Sequence, residues 1–301
     1  MDTQETLTAL RELERPHGTA IRCLRIGSWR FLLVGLDEDL ATALDRRWGG
    51  FLYRDPDEQP RLVVRVLRGE SELGLGVVGR GERYRIEASF EQDTPLVRSY
   101  HFALCPDEDG EHWRCALMDP VGEAPDRVVE NALRYLIART AVMEGGFALH
   151  GATVEREGRA YLFAGPSRSG KTTATRLSAP ARSLGDDFAV VLPDGNEWVV
   201  PAVPFDNSEA APAHPVFGPF PIEGIWRLHH AAAPRVERPG LAAGTASLLS
   251  CTAFPWTLSD LTGPMIGHVR RFVESGRFAH LHFRIASDFW PLLLTPTAPA
   301  S

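Results

Sequence analysis

Lysine is nearly absent from this sequence. Of its 32 Lys+Arg residues only Lys171 is lysine, so wherever a generic cation sufficed the chain carries a guanidinium. Cysteine is scarce too. Cys23, Cys105, Cys115 and Cys251 lie far apart with no C-x-x-C pair, which speaks against a disulfide framework or a thiolate metal site and for reduced structural thiols. No apolar run approaches the roughly 18 residues of a membrane-spanning helix. The stretch Met1–Glu5 is polar and acidic rather than the opening of a signal peptide, so the cytoplasm is the expected compartment and no membrane partner is expected. Lys and Arg form no cluster beyond local pairs and the net charge is −7, which removes the electrostatic footprint of a nucleic-acid-binding protein.

What is present is an ordinary globular composition, 44% hydrophobic and 24% charged over 301 residues, a length that suggests two domains more readily than one. The lone lysine falls inside Gly165-Pro166-Ser167-Arg168-Ser169-Gly170-Lys171-Thr172, a complete G-x-x-x-x-G-K-[ST] phosphate-binding loop. This composition yields about one chance match per thousand such chains. A loop of this type needs a compact ammonium on a flexible stem, which follows the β- and γ-phosphates as a point charge; a wider, forked guanidinium would crowd it. The flanks agree with the motif. Arg159–Ala164 reads as a buried strand running into the loop, and Lys171 to Leu177 as a short helix whose amino end faces the anion. Thr172 would place its hydroxyl on Mg²⁺, and Thr173 continues the nucleotide-binding stretch.

Residues 1–122 read as a strand-rich first domain with no chemistry-bearing motif, a candidate for substrate or partner recognition. Cys23–Ile26 and Trp29–Val34 flank the hairpin-like signal Gly27-Ser28, Leu62–Leu67 is a further strand, and Tyr84–Ala88 alternates. Asp37 to Trp48 reads as a helix with Leu40, Leu44 and Trp48 on one face. The acidic run Asp107–Glu111 reads as a solvated turn. Pro125-Asp126 opens a helix to about Met143, with Val128, Val129, Leu133, Leu136, Ile137 and Ala141 at helical spacing and Gly145-Gly146 ending it. The second domain, 123–294, continues with strands Phe147–Val154, Ala160–Ala164, Ser183–Leu192 and Glu197–Val200. A Pro- and Ala-rich segment, Pro201–Pro221, reads as a mobile substrate-facing loop. A helix near Met265–Glu274 and a strand Phe278–Ile285 follow, and the tail 295–301 is expected to be disordered.

Three neighbours of the loop join it in a constellation, the third being Val203-Pro204-Phe205-Asp206-Asn207 at the start of the Pro- and Ala-rich segment. His150 sits in Leu149-His150-Gly151, upstream of the strand into the loop, and Gly185-Asp186-Asp187 comes at or just past the end of a strand after it. Two adjacent carboxylates suit phosphoryl transfer, one holding Mg²⁺ and the other accepting the attacking hydroxyl's proton. An imidazole near the γ-phosphate could donate a hydrogen bond or carry protons. Arg168 could reach the phosphate in transfer as an arginine in cis. Glu144, Asp206, Asn207 and Glu223 are further candidate cation or substrate contacts. Of the ten histidines, His280 and His282 share one strand face and read as a solvent-facing strand edge, while His229-His230 points in two directions.

These motifs in combination resemble the catalytic domain of HPr kinase/phosphorylase and its HPr-kinase-like serine kinase relatives, over about residues 145–290. The resemblance implies an α+β, mixed-sheet P-loop kinase core similar to phosphoenolpyruvate carboxykinase, preceded here by the smaller strand-rich domain. It implies Asp187 as catalytic base, His150 and Lys171 as catalytic partners, Asp186 as metal or substrate support, and Thr172 with Asp186 as the metal-side residues. The implied cofactors are ATP and Mg²⁺. The family's Leu-Glu-Ile-Arg-Gly substrate signature is replaced by Pro221-Ile222-Glu223-Gly224-Ile225-Trp226, which lacks the arginine. The acceptor therefore stays open among a protein, a peptide and a small molecule. The expected activity is an ATP- and Mg²⁺-dependent kinase acting on a serine-type hydroxyl. A non-catalytic ATP-binding regulatory or assembly protein is the alternative, and a small-molecule carboxykinase-like enzyme a third reading. Oligomeric state, self-association included, is not legible.

Overall fold

A computed structural model describes residues 1–53, 59–76, 85–118, 123–205, 216–254 and 257–294. They form a mixed α+β fold with two mixed sheets, divided into two compact units. The first holds residues 1–135 and 257–260; the second holds 136–205, 216–254 and 261–294. The border between the units falls inside the long helix, after Tyr135.

The first unit opens with helix α1 (Thr3–Glu12), which the sequence reading had not expected. Asp2 accepts the Glu5 N–H while the Glu5 side chain accepts the Asp2 N–H, a reciprocal capping box. Strands β1 (Ala20–Ile26) and β2 (Trp29–Leu36) form the expected hairpin, followed by helix α2 (Glu38–Trp48), with Leu40, Leu44 and Trp48 buried. Next come β3 (Leu52–Tyr53), β4 (Leu62–Arg68), β5 (Glu87–Glu91), β6 (Thr94–Arg98), β7 (Phe102–Pro106) and β8 (His112–Leu117). The strand expected at Tyr84–Ala88 begins later, at Glu87, and Tyr84 itself lies outside the described residues. The sheet order is β3-β1-β2-β4-β8-β7-β6-β5, with β2, β4 and β8 parallel in sequence and the other pairs antiparallel. Leu7 and Leu10 of α1 pack with Leu96, Ala103, Cys105 and Ala116. The four cysteines are free and buried. Burial pushes the Cys105 and Cys115 thiols up to about 12, which leaves them unreactive. The Asp107–Glu111 run is the turn between β7 and β8, closed by Asp109 accepting the Glu111 and His112 N–H groups.

Helix α3 (Pro125–Met143) crosses the border and buries all six of its expected apolar positions. It ends in a Schellman turn: Gly145 takes φ +85°, its N–H reaches the Val142 carbonyl, and the Gly146 N–H reaches Ala141.

The second unit's sheet is built from β9 (Phe147–Leu149), β10 (Gly151–Arg156), β11 (Arg159–Ala164), β12 (Arg182–Gly185), β13 (Ala189–Asp194), β14 (Glu197–Val200), β15 (Phe220–His230), β16 (Arg235–Glu237) and β17 (Phe278–Phe283). Its helices are α4 (Lys171–Leu177), α5 (Leu241–Leu249), α6 (Thr262–Glu274) and α7 (Trp290–Leu293). The order is β12-β10-β11-β15-β14-β13-β9, with β17 on β15 and β16 on β17. Strands β11, β15 and β17 run parallel and their neighbours antiparallel. Phe163, Leu228, Leu281, Phe283, Phe289 and Trp290 form the core on the face that α4 and α7 cover.

Three expectations change here. The run Phe147–Val154 is two strands broken at His150, because β9 pairs with β13 while β10 pairs with β11 and β12. Ser183–Leu192 likewise breaks at Asp186–Phe188. The ends of the supposed mobile loop are fixed: Ala202, Val203 and Phe205 are buried, and Phe220 and Pro221 belong to β15. Its middle and the 295–301 tail lie outside the described residues. No helix among the described residues is long and apolar enough to cross a membrane.

Candidate functional site

Strand β11 buries every residue from Ala160 to Ala164, as a strand covered on both faces must, and delivers the chain directly into the Gly165–Thr172 loop. Gly165 takes φ +153°, and a Cβ there would lie 2.6 Å from the Ser169 hydroxyl oxygen. At Gly170, φ is +100° and a Cβ would lie 2.7 Å from Phe283 Cζ. Both motif glycines are therefore required by the fold of the loop itself. Helix α4 then starts at Lys171 and ends at Leu177, as expected.

Lys171 is 7% exposed. Its Nζ donates to the carbonyls of Gly165 at 3.0 Å and Pro166 at 3.1 Å. Burial pushes its pKa below the ordinary lysine value, against the opposing pull of Asp187, Cys251 and Asp186. The Ser169 hydroxyl is buried and finds no hydrogen-bond partner among the described residues. The exposed Thr172 donates its hydroxyl to Asp186 Oδ2 at 3.1 Å.

The two strand breaks supply the facing wall. His150 is anchored by its own N–H, which donates to the Cys251 carbonyl at 2.8 Å, and its Nδ1 lies 3.2 Å from Asp187 Oδ1. Gly185 precedes the aspartates because a Cβ there would lie 2.8 Å from Val203 Cγ2 and 3.1 Å from the Phe188 carbonyl oxygen. His150, Ser167, Arg168, Gly170, Lys171, Thr172, Thr173, Asp187 and His230 line one open cleft of about 460 Å³. Asp186 does not line it but bonds to Thr172, which does, and Gly165 and Pro166 meet Lys171 through their carbonyls. His150, the Gly165–Thr172 loop, Asp186 and Asp187 thus come together, while Val203, Pro204 and Phe205 of the third neighbour do not line the cleft.

Other candidates do not. Glu223 pairs with Arg159 at the start of β11, the far end of that strand from the loop, and the surrounding Ile222, Gly224, Ile225 and Trp226 are buried sheet positions. Glu144 follows α3 and does not line the cleft. Asp206 and Asn207 lie outside the described residues.

His230 is the site residue that sequence reasoning missed. The pair His229-His230 does point in two directions, but one of them is the cleft. Strand β15 runs parallel to β11, with Ala164 opposite Arg227, so the last residues of β15 emerge at the same sheet end as the loop. Ligands in open sheets with parallel strands gather at such carboxyl ends. His229 faces the other side, where its ring lies 4.9 Å from those of His280 and His282. The expectation of a solvent-facing edge for His280 and His282 is overturned: β17 has neighbours on both sides, the His282 side chain is 15% exposed, and His280 Nε2 is 2.8 Å from Ser247 Oγ. Burial, then the neighbouring imidazoles and Arg227, push the His229 pKa down. Among the described residues, no group of three or more His, Cys, Asp or Glu is set to hold a metal ion.

A family model described as "ScmC: SynChlorMet cassette protein ScmC" matches residues 115–212. The matched stretch carries His150, the whole Gly165–Thr172 loop, Asp186 and Asp187, while His230 falls outside it. No curated protein matches the chain.

Proposed function

We propose that the protein is an ATP- and Mg²⁺-dependent kinase that transfers the γ-phosphoryl group to a serine-type hydroxyl of a protein, peptide or small molecule. The observation that carries this is the meeting, in one cleft, of the buried Lys171 loop with the His150–Asp187 contact of 3.2 Å. The residues fit the ligands. Two glycines that tolerate no Cβ let the backbone approach a phosphate, and the buried Ser169 hydroxyl, without a partner among the described residues, is a group that a phosphate oxygen would satisfy. Thr172 and Asp186 offer two oxygens 3.1 Å apart, enough for Mg²⁺, which takes one or two protein oxygens beside phosphate and water. The bound cation would supply charge neutralisation on the phosphates.

In this reading Lys171 holds the β- and γ-phosphates. The acceptor oxygen bonds to the terminal phosphorus as the bond from that phosphorus to the ADP oxygen breaks, and the acceptor proton passes to the Asp187 carboxylate. His150 Nδ1 fixes that carboxylate and stabilises it once the proton has moved on. The HPr-kinase-like resemblance favours the same assignment, and the ScmC description names a cassette but no reaction, so the chemistry rests on the cleft.

One observation favours a second reading, a nucleotide-bound regulatory or assembly protein: Glu223 is tied to Arg159 and Gly224 lies against Trp226, so the stretch standing where the family carries its substrate signature is sheet interior. Labelled ATP incubated with the protein and a lysate of its own cells separates the two. Transfer predicts a labelled product that is lost with Lys171→Ala together with ATP affinity. With Asp187→Asn, transfer should fall by about 10²–10⁴ while binding stays. Wild-type transfer rates in Asp187→Asn would refute the base; ATP binding without any labelled product would select the second reading.

A further inference from the structure

Arg168 occupies the loop between the two motif glycines in the left-handed region, at φ +66°, a conformation that a residue with a β-carbon adopts only when its surroundings hold it there. Its guanidinium is exposed at the cleft and makes no hydrogen bond or ion pair among the described residues. What faces its backbone is His230, whose Nε2 lies 3.4 Å from the Arg168 carbonyl oxygen. That imidazole is itself fixed, stacked at 5.8 Å and 24° on Phe283, a ring with 1% exposure. Phe283 in turn stands where a Cβ on Gly170 would be. The ends of β15 and β17 therefore brace the loop from outside, and the brace reaches the one loop residue that carries an uncommitted cation.

We propose that His230 is a positioning residue that holds the Arg168 backbone, so that the Arg168 guanidinium is aimed into the cleft as an in-chain counter-charge for the phosphoryl group in flight. The inference rests on the phosphoryl-transfer reading and names a further part of its machinery. Lys171 is committed to the loop floor and bears on the bound ground state. An arginine free to swing over the cleft bears on charge that develops only during transfer, which is the kind of interaction that lowers a barrier rather than tightening substrate binding. The imidazole needs only an Nε2–H to donate to the carbonyl, so a glutamine, whose amide nitrogen reaches about as far, should replace it.

The test needs no acceptor. Mg²⁺ and ADP are titrated with and without aluminium fluoride, the planar mimic of a transferring phosphoryl group, against wild type, Arg168→Ala, His230→Ala, His230→Gln and the double alanine variant. The expectation is that fluoride tightens ADP binding to wild type, and that Arg168→Ala loses about tenfold or more of that tightening while ADP affinity alone changes less than about threefold. His230→Ala should lose part of the tightening, His230→Gln should keep it, and the double variant should match Arg168→Ala. Full tightening in Arg168→Ala would overturn the counter-charge. A loss on removing His230 that persists at full size without the Arg168 side chain, or a glutamine as poor as alanine, would overturn the positioning role. Wild type that bound no ADP would bring down the nucleotide reading itself, and wild type that bound ADP without tightening would bring down transfer, the inference falling with either.

Discussion

Truncating Glu130 to alanine should cost the first unit about 3–5 kcal/mol, the penalty for breaking a buried ion pair by removing one partner. Glu130 is 2% exposed, and its carboxylate faces three arginines: Arg47 bonds to it, Arg134 Nη2 lies 2.7 Å away and Arg127 Nη1 3.8 Å away. Asp126 adds a second carboxylate, 3.2 Å from Arg47 Nε. With side-chain exposures of 8% for Arg47 and 15% for Arg134, neither guanidinium can turn to bulk water when Glu130 is gone. Asp126 keeps a hold on Arg47, while Arg134 loses its contact with the Glu130 carboxylate. A surface network of the same composition would be worth only about 0–1 kcal/mol, so the two regimes are well separated. Because two units need not unfold together, the measurement should be local: native-state hydrogen exchange of α2 and the first turns of α3, wild type against Glu130→Ala. Glu130→Gln should fall between them, keeping shape and an acceptor but not the charge. Replacing Arg47 and Glu130 together by methionine and leucine should recover only part of the loss, because the buried Arg47 charge leaves with its partner while Arg134 and Asp126 each still lose one ion-pair contact. A loss under about 1 kcal/mol in Glu130→Ala would show that water reaches these arginines and that burial is not what holds them.

Two further outcomes are expected. Asp37 caps α2 by accepting the Leu40 N–H at 2.8 Å, and that bond, opposed by burial and helped by His17, holds its carboxyl below the ordinary 3.8. A depressed carboxylate contributes in full above its ordinary value and loses the contribution as pH falls through the lowered one. Asp37→Ala should therefore cost about 1 kcal/mol at neutral pH, and the difference in melting temperature from wild type should vanish in strong acid; a difference that grew on acidification would refute the cap. Gly170→Ala must place a β-carbon at φ +100°, 2.7 Å from Phe283 Cζ. It should lose about 1–3 kcal/mol and disturb the His230 brace; thermal melts that matched wild type would show the loop to be softer than its contacts imply.

How much of this was legible in the chain follows from which contacts are local. Strand β11, the loop and α4 occupy residues 159–177, and each signal needed to read them lies within a few positions of the next. Helix α1 was equally local, since Asp2 and Glu5 form its capping box, but a short polar amino end carries too little apolar periodicity to suggest a helix. The Arg47–Glu130 bond joins residues 83 apart, and nothing in the spacing of either helix announces it. The site itself divides along the same line. Residue types and motif spacing single out His150, Lys171, Asp186 and Asp187, yet they do not say why those residues meet. The reason is a simultaneous change of strand partners. Leu149 pairs with Ala189 across β9 and β13, while Thr153 pairs with Gly185 across β10 and β12, so both chains must cross from one pairing to the other between those positions. His150 lies in one crossing and Asp187 in the other. A run of apolar residues reads as one continuous strand whether or not it changes neighbours, because periodicity reports which face is buried and not by whom. His230 obeys the same logic: its place beside the loop depends on β15 lying parallel to β11 across more than fifty intervening residues. The residues offered to this cleft are thus set by local sequence, and what gathers them is set by pairings that only the folded sheet contains.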